Sequence, residues 1–200
     1  MKAITRRQFL KTTGKTLGVL AGGLVIPTYA FGNDARNEFY KDSEKILLAR
    51  MIFGEARSSL DGKIDPDYKE PIMIGWTAIN RANDKLKFNG ENLKEAILKK
   101  KWVKNKKGKK TPIHQYSCFN PKDPNLKVLK NPKKYEPKEW EKSLHLAEKI
   151  LEGKLSYLNY GQDHYYRKDT NAPNWTENPR MKKIWTPPFF DHEFYRDTKA

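Results

Sequence analysis

At 200 residues the chain has the length of one domain and is long enough to bury a core. Forty Lys+Arg against 24 Asp+Glu give a formal charge of +16, which excludes an acidic protein and favours polyanionic partners: nucleic acid, anionic lipid or the acidic polymers of a cell wall. The single cysteine, Cys118, excludes an internal disulfide.

Residues 1–30 read as an export signal. They hold Lys2, Arg6, Arg7, Lys11 and Lys15 and no acid, so +11 of the +16 remains on the rest of the chain. Thr5-Arg6-Arg7-Gln8-Phe9-Leu10-Lys11 resembles a twin-arginine motif. The apolar run Leu17 to Ile26 is too short to span a bilayer comfortably, and Thr28-Tyr29-Ala30 offers the small residues a signal peptidase reads. Export with cleavage after Ala30 is the expectation, leaving no stable membrane anchor; an uncleaved anchor is the alternative. Residues 31–42 form a polar lead-in, and the domain is expected over 43–200.

The most apolar run after the N-terminus is Ile46 to Arg57. Ile46, Ala49, Phe53 and Ala56 repeat at helical spacing, and Leu47, Leu48, Met51 and Ile52 extend the apolar surface round the cylinder, so a central helix is expected over about 43–57, capped by Ser43. Glu55 lies near its end between Gly54 and Ala56, whose small side chains would let a ligand approach. A carboxyl held against apolar walls keeps its proton, as a general acid needs. A solvated Glu55 paired with Arg57 is the alternative.

A loop over 58–68 precedes a second helix, expected over 70–84 with Pro71 in its first turn and Ile72, Gly75, Ile79 and Ala82 at helical spacing. Asn80 and Arg81 near its end are either ligand contacts or a buried amide beside a surface arginine. After the Asn89-Gly90 turn, Leu93 to Lys100 forms a short helix. The basic stretch 99–110, with Trp102, suits either nucleic acid or an exposed hairpin loop of solvated charge, and the hairpin is preferred.

Pro112 to Pro124 is expected as loop or short strand, and 120–136 as a proline- and lysine-rich loop. Ser117 lacks a Gly-x-Ser-x-Gly context, so it reads as a hydrogen-bonding or structural hydroxyl. Cys118 reads as a small buried residue, not a nucleophile. Pro137 opens an amphipathic helix whose face is expected at Trp140, Leu144, Ala147 and Leu151, ending at Gly153, with His145 off the face. From Tyr157 onward aromatics alternate with proline and glycine, which predicts short strands and loops with most aromatics in the core. No metal-ligand spacing, phosphate loop, nucleotide fingerprint or internal repeat occurs, so no cofactor is expected.

Five blocks in the same order carry a family resemblance. LLARMIFGEAR resembles the signature of the SleB-type cell wall hydrolases, the domain of spore-cortex-lytic enzymes. IGWTAINRAND resembles their second helix, HQYSCFNPKDPN their Gln-aromatic-Ser segment, and DHYYRKDTNAPNW with FFDHEFYR their His-aromatic and terminal His-x-Phe-Tyr blocks. The resemblance spans about residues 43–196. It implies a mainly helical α+β, lysozyme- or lytic-transglycosylase-like domain that cleaves peptidoglycan glycan strands. It implies Glu55 as the general acid and base, and Asn80, Gln115, Tyr116, Ser117, His164, Tyr165 and Trp175 as substrate contacts. His192 also falls in a matching block but reads as a satisfied structural histidine.

Glycosidases usually need two carboxylates. Only Glu55 carries family support for such a role; Asp61, Asp65, Asp163 and Asp191 lack a matching motif role. One acid suffices if the sugar's own hydroxyl attacks, which is lytic transglycosylation, the reaction the resemblance implies. A two-carboxylate muramidase and a silent peptidoglycan-binding protein are the alternatives. Nucleic-acid binding is disfavoured by the export signal.

Overall fold

The computed structural model describes residues 38–84, 92–104 and 110–198. The expected export signal over 1–30, residues 31–37, the expected Asn89-Gly90 turn and the lysine-rich stretch 105–109 lie outside the described residues. Residues 1–41 and 42–200 are separate units, and Glu38–Lys41 of the first is a short 3-10 turn.

Within 42–200 the fold is mainly helical α+β. Helix α1 (Glu44–Glu55) starts at Ser43, whose hydroxyl accepts the Ile46 N–H at 3.3 Å. Leu47, Leu48, Ala49, Met51, Ile52 and Phe53 are buried all round the cylinder, so α1 is the axis of the core, while Ile46 is only half-buried. Helices α2 (Lys69–Asn83), α3 (Leu93–Leu98) and α6 (Pro137–Leu151) pack around it. Gly75 permits that packing: a Cβ there would stand 2.5 Å from Ile150 Cδ1 and 3.0 Å from Ile52 Cδ1.

The hairpin β1 (Lys100–Lys104) and β2 (Lys110–His114) is the element expected around the basic stretch, paired Lys100↔His114 to Lys104↔Lys110. A 3-10 turn over Ser117–Phe119 follows. The expected loop 120–136 instead contains two short helices, α4 (Leu126–Lys130) and α5 (Pro132–Tyr135). Leu129 is fully buried, and its carbonyl accepts from Arg50 on α1, which ties α4 to the core. The same Arg50 binds Asp42 at 2.7 Å and lies over the Trp140 ring.

Helix α6 runs where the sequence puts it, but its buried face is Trp140, Ser143, Leu146, Ala147 and Ile150. Leu144 and Leu151 are half-buried and His145 is exposed. The stripe was masked by Ser143, whose hydroxyl donates to the Glu139 carbonyl at 2.9 Å and so enters the core without an unmet polar group.

The C-terminal third forms an antiparallel sheet, β3 (His164–Arg167), β5 (His192–Asp197) and β4 (Met181–Ile184) in that spatial order. Tyr165 pairs with Phe194 and Tyr166 with Glu193, so the pleat sends them to opposite faces. The inner face carries Tyr165, His192 and Phe194 in ring contact. On the outer face Glu193 accepts from Tyr166 Oη and Tyr195 Oη, each at 3.0 Å, and pairs with Lys183 at 2.7 Å. Phe190, Phe194 and Tyr195 are core, as expected; Tyr157, Tyr160, Trp185 and Phe189 are exposed, because they sit on connecting loops.

Candidate active site

Glu55 is the last residue of α1, and three donors converge on its carboxylate. Oε1 accepts the Cys118 backbone N–H at 3.0 Å and the Ser117 hydroxyl at 3.3 Å. Oε2 accepts the Tyr165 hydroxyl at 3.1 Å. A carboxylate offers about four acceptor positions, so about one is left for a ligand. The expected apolar walls are therefore replaced by donors from the 3-10 turn and from β3.

Gly54 does more than the expectation gave it. It lines the cleft beside Glu55. A Cβ there would also fall 2.6 Å from Cys118 Cβ and 2.8 Å from its Sγ, so the missing side chain admits Cys118 and, through it, the N–H that holds Glu55.

Burial, and then the charge of Glu55, push the Cys118 thiol well above its ordinary pKa, so the buried sulfur is a thiol and no nucleophile. The same two causes, in the same order, lift the Tyr165 phenol well above its usual range. Tyr165 thus keeps its proton and remains a donor to Glu55.

Glu55 opens on a cleft of about 490 Å³. Asp61, Glu136, Glu139 and Asp191 add four carboxylates to its lining, against the cations Arg57 and Arg167. Arg57 does not pair with Glu55 as the alternative reading had it; its guanidinium lies 3.5 Å from Glu136. The Ser58 hydroxyl donates to Asp191 at 2.7 Å, and the Lys63 N–H beside Asp61 holds that carboxyl below its ordinary value.

A buried carboxylate fastens the two sides of this cleft. Glu70 on α2 accepts from the Ser59 hydroxyl, just beyond α1, and from the His192 N–H at 2.8 Å. Its Oε1 also lies 3.0 Å from His192 Nδ1, a geometry that places the ring proton on Nδ1. Asp65 in turn accepts the Glu70 N–H at 2.8 Å. His192 is thus the satisfied histidine the sequence suggests, and it packs edge-on to Tyr165 at 5.1 Å.

The residues expected at the site are only partly brought together. Ser117 and Tyr165 touch Glu55. Tyr116 is fully buried behind Tyr165, 6.2 Å between ring centres, with Arg81 over its face. Arg81 is buried and not a surface residue, and its Nε donates to the Asp163 carbonyl at 2.5 Å. Gln115, with its amide oxygen turned to Arg81, accepts from that guanidinium at 3.0 and 3.1 Å. Asn80 spends its amide N–H groups on Asn159 at 2.9 Å and the Gln162 carbonyl at 2.7 Å, bracing the loop before β3.

His164 and Trp175 pack against each other on the outer face of the sheet, away from Glu55, with ring centres 5.0 Å apart and planes tilted by 50°. His164 also bonds the buried Asp163 at 2.7 Å. Sequence reasoning missed the Cys118 N–H, Glu70, Ser59 and, of the acidic rim, Glu136 and Glu139. A backbone donor leaves no mark in composition, and a glutamate in a first helical turn ordinarily signals only a solvated helix start. Among the described residues no His/Cys/Asp/Glu group is placed to hold a metal ion, and no helix is long and apolar enough to cross a membrane.

A family model described as Cell Wall Hydrolase matches residues 66–195, which is more than half of the chain. The match includes Ser117, Cys118 and Tyr165 and begins after Glu55. No curated protein and no solved structure matches.

Proposed function

This chain belongs to the cell wall hydrolase family, enzymes acting on peptidoglycan, and from that premise we propose that it cuts the glycan strand as a lytic transglycosylase with Glu55 as its only proton-transfer group. The observation that carries this reading is the Glu55 carboxylate, which accepts three hydrogen bonds and opens on a cleft. Protonated Glu55 gives its proton to the bridging oxygen as the C1–O bond breaks. The carboxylate then takes the proton of the muramyl C6 hydroxyl as that oxygen bonds to C1. The products are a free hydroxyl end and a 1,6-anhydro-muramyl end; Glu55 is again protonated and no water is consumed. Cys118 N–H, Ser117 and Tyr165 hold the carboxylate in line and stabilise its charged form between the two transfers.

The other cleft carboxylates support a second reading, a muramidase in which Asp61, Glu136, Glu139 or Asp191 activates water. Mass spectrometry of a sacculus digest separates the two. Anhydro-muramyl ends support transglycosylation; reducing ends, heavier by one water, overturn it. The acid-rich cleft also disfavours a phosphate backbone as its occupant.

We further propose that the protein is exported through the twin-arginine signal to the periplasm or cell wall. Arg6→Lys with Arg7→Lys then leaves unprocessed precursor in the cytoplasm, since the motif is read as paired guanidinium groups. Normal export of that double variant overturns the assignment.

A further inference from the structure

A second hollow, of about 450 Å³, lies on the outer face of the sheet and is lined by Lys168, Lys183, Trp185, Thr186, Pro188 and Glu193. Its most unusual feature is Trp185, which is 81% exposed. An exposed aromatic standing alone needs no explanation. Here, however, the ring belongs to a short loop, Trp185-Thr186-Pro187-Pro188-Phe189, in which two consecutive prolines fix the backbone and a second aromatic, Phe189, is also exposed. The loop presents a preformed platform, so little ordering is needed when a ring stacks on it.

The charge of the hollow is opposite to that of the cleft. Lys168 and Lys183 face a single acid, Glu193, which already accepts from Tyr166 and Tyr195. Lys183 gives one of its three ammonium protons to Glu193, and Lys168 gives one to the Pro188 carbonyl at 3.2 Å. Both retain donors for an anion. A glycan bearing carboxylates is therefore drawn to this hollow more strongly than to the acidic rim of the cleft.

The two depressions take neighbouring residues at the end of β3: Arg167 lines the cleft and the next residue, Lys168, lines the hollow. Lys168 N–H also donates to the carbonyl of Asp191, another cleft residue, at 2.9 Å.

We propose that the hollow is a remote glycan subsite. Trp185 stacks on a sugar ring, and Lys168 and Lys183 bind the carboxylates of the acidic peptide stems on the same strand. This inference rests on the peptidoglycan reading above and extends it to how a long chain is held.

The test is cosedimentation of the full-length Glu55→Gln and Glu55→Gln/Trp185→Ala proteins with isolated sacculi, beside anionic phospholipid vesicles. Cleavage of sacculi and of a short muropeptide tetrasaccharide is then compared for the wild type and Trp185→Ala. The subsite predicts a roughly tenfold loss of sacculus binding on Trp185→Ala, reproduced in direction by Lys168→Gln/Lys183→Gln. It also predicts a raised KM on sacculi and unchanged turnover of the tetrasaccharide. Equal sacculus binding by both proteins overturns the subsite, as does a loss confined to vesicles. Absence of glycan cleavage by the wild type refutes the peptidoglycan reading instead, and the binding comparison still decides the subsite.

Discussion

The Tyr165 hydroxyl donates to Glu55 Oε2 at 3.1 Å, joining the inner face of the sheet to the end of the central helix across 110 residues of sequence. Tyr165 is held in turn by His192, edge-on at 5.1 Å, and His192 by the buried Glu70. The position of the carboxylate is thus set by the sheet as much as by its own helix.

Tyr165→Phe removes one hydrogen bond to a charged group and leaves the ring packing intact. Such a bond is worth about 1.5–3 kcal/mol, so kcat on sacculi falls by roughly tenfold or more. KM changes little, and the melting temperature falls by roughly several degrees because the same bond is lost from the folded state. Unchanged kcat shows that the contact does not contribute to the reaction.

Gly54→Ala sets two effects against each other. Alanine favours a helix by about 1 kcal/mol over glycine. The added Cβ, however, meets Cys118 Cβ at 2.6 Å, an atom next to the backbone that cannot swing aside. Overpacking of that kind costs about 1–3 kcal/mol and wins. The variant melts lower in calorimetry and loses activity, because the Cys118 N–H is pushed off Glu55. A stabilised, fully active Gly54→Ala contradicts the close approach.

Much of the fold was legible because α1, α2 and α6 carry long apolar patterns bounded by Ser43, Pro71, Pro137 and Gly153. The short helices α4 and α5 were hidden by the prolines and lysines around them. Their order comes from Leu129 and Arg50, a contact 79 residues apart that no local pattern shows. At the site, Glu55, Ser117 and Tyr165 were legible as family blocks. His164 is adjacent to Tyr165 in sequence, yet the pleat sends it to the other face. The resemblance implies His164 and Trp175 as substrate contacts, and the fold puts them on the outer face of the sheet, away from Glu55.

Alkaline pH weakens the fold through the same groups. Burial raises Cys118, Tyr116 and Tyr165 above their ordinary values of 9.0 and 10.0. In the unfolded chain they lose protons at those ordinary values, while the folded protein retains them. The unfolded state then binds fewer protons, so stability is fully present below about pH 9 and falls as pH rises beyond it. Thermal melts from pH 7 to 11 show a plateau and then a decline. Cys118→Ala, compared with its own value at pH 7, starts that decline about one pH unit later. A melting temperature that rises between pH 9 and 11 contradicts the burial of these groups.

The central claim is that Glu55 alone moves the proton in both halves of the reaction. Glu55→Gln keeps the shape of the side chain and an acceptor oxygen for the Cys118 N–H, but it cannot give or take a proton. General acid–base catalysis is typically worth 10²–10⁴-fold. Turnover of sacculi, measured as release of soluble muropeptides, therefore falls at least about 100-fold in a folded protein that still cosediments with sacculi. The equivalent changes at Asp61, Glu136, Glu139 and Asp191 cost far less. Near-normal release by Glu55→Gln, or an equally inactive and folded Asp191→Asn, contradicts the account.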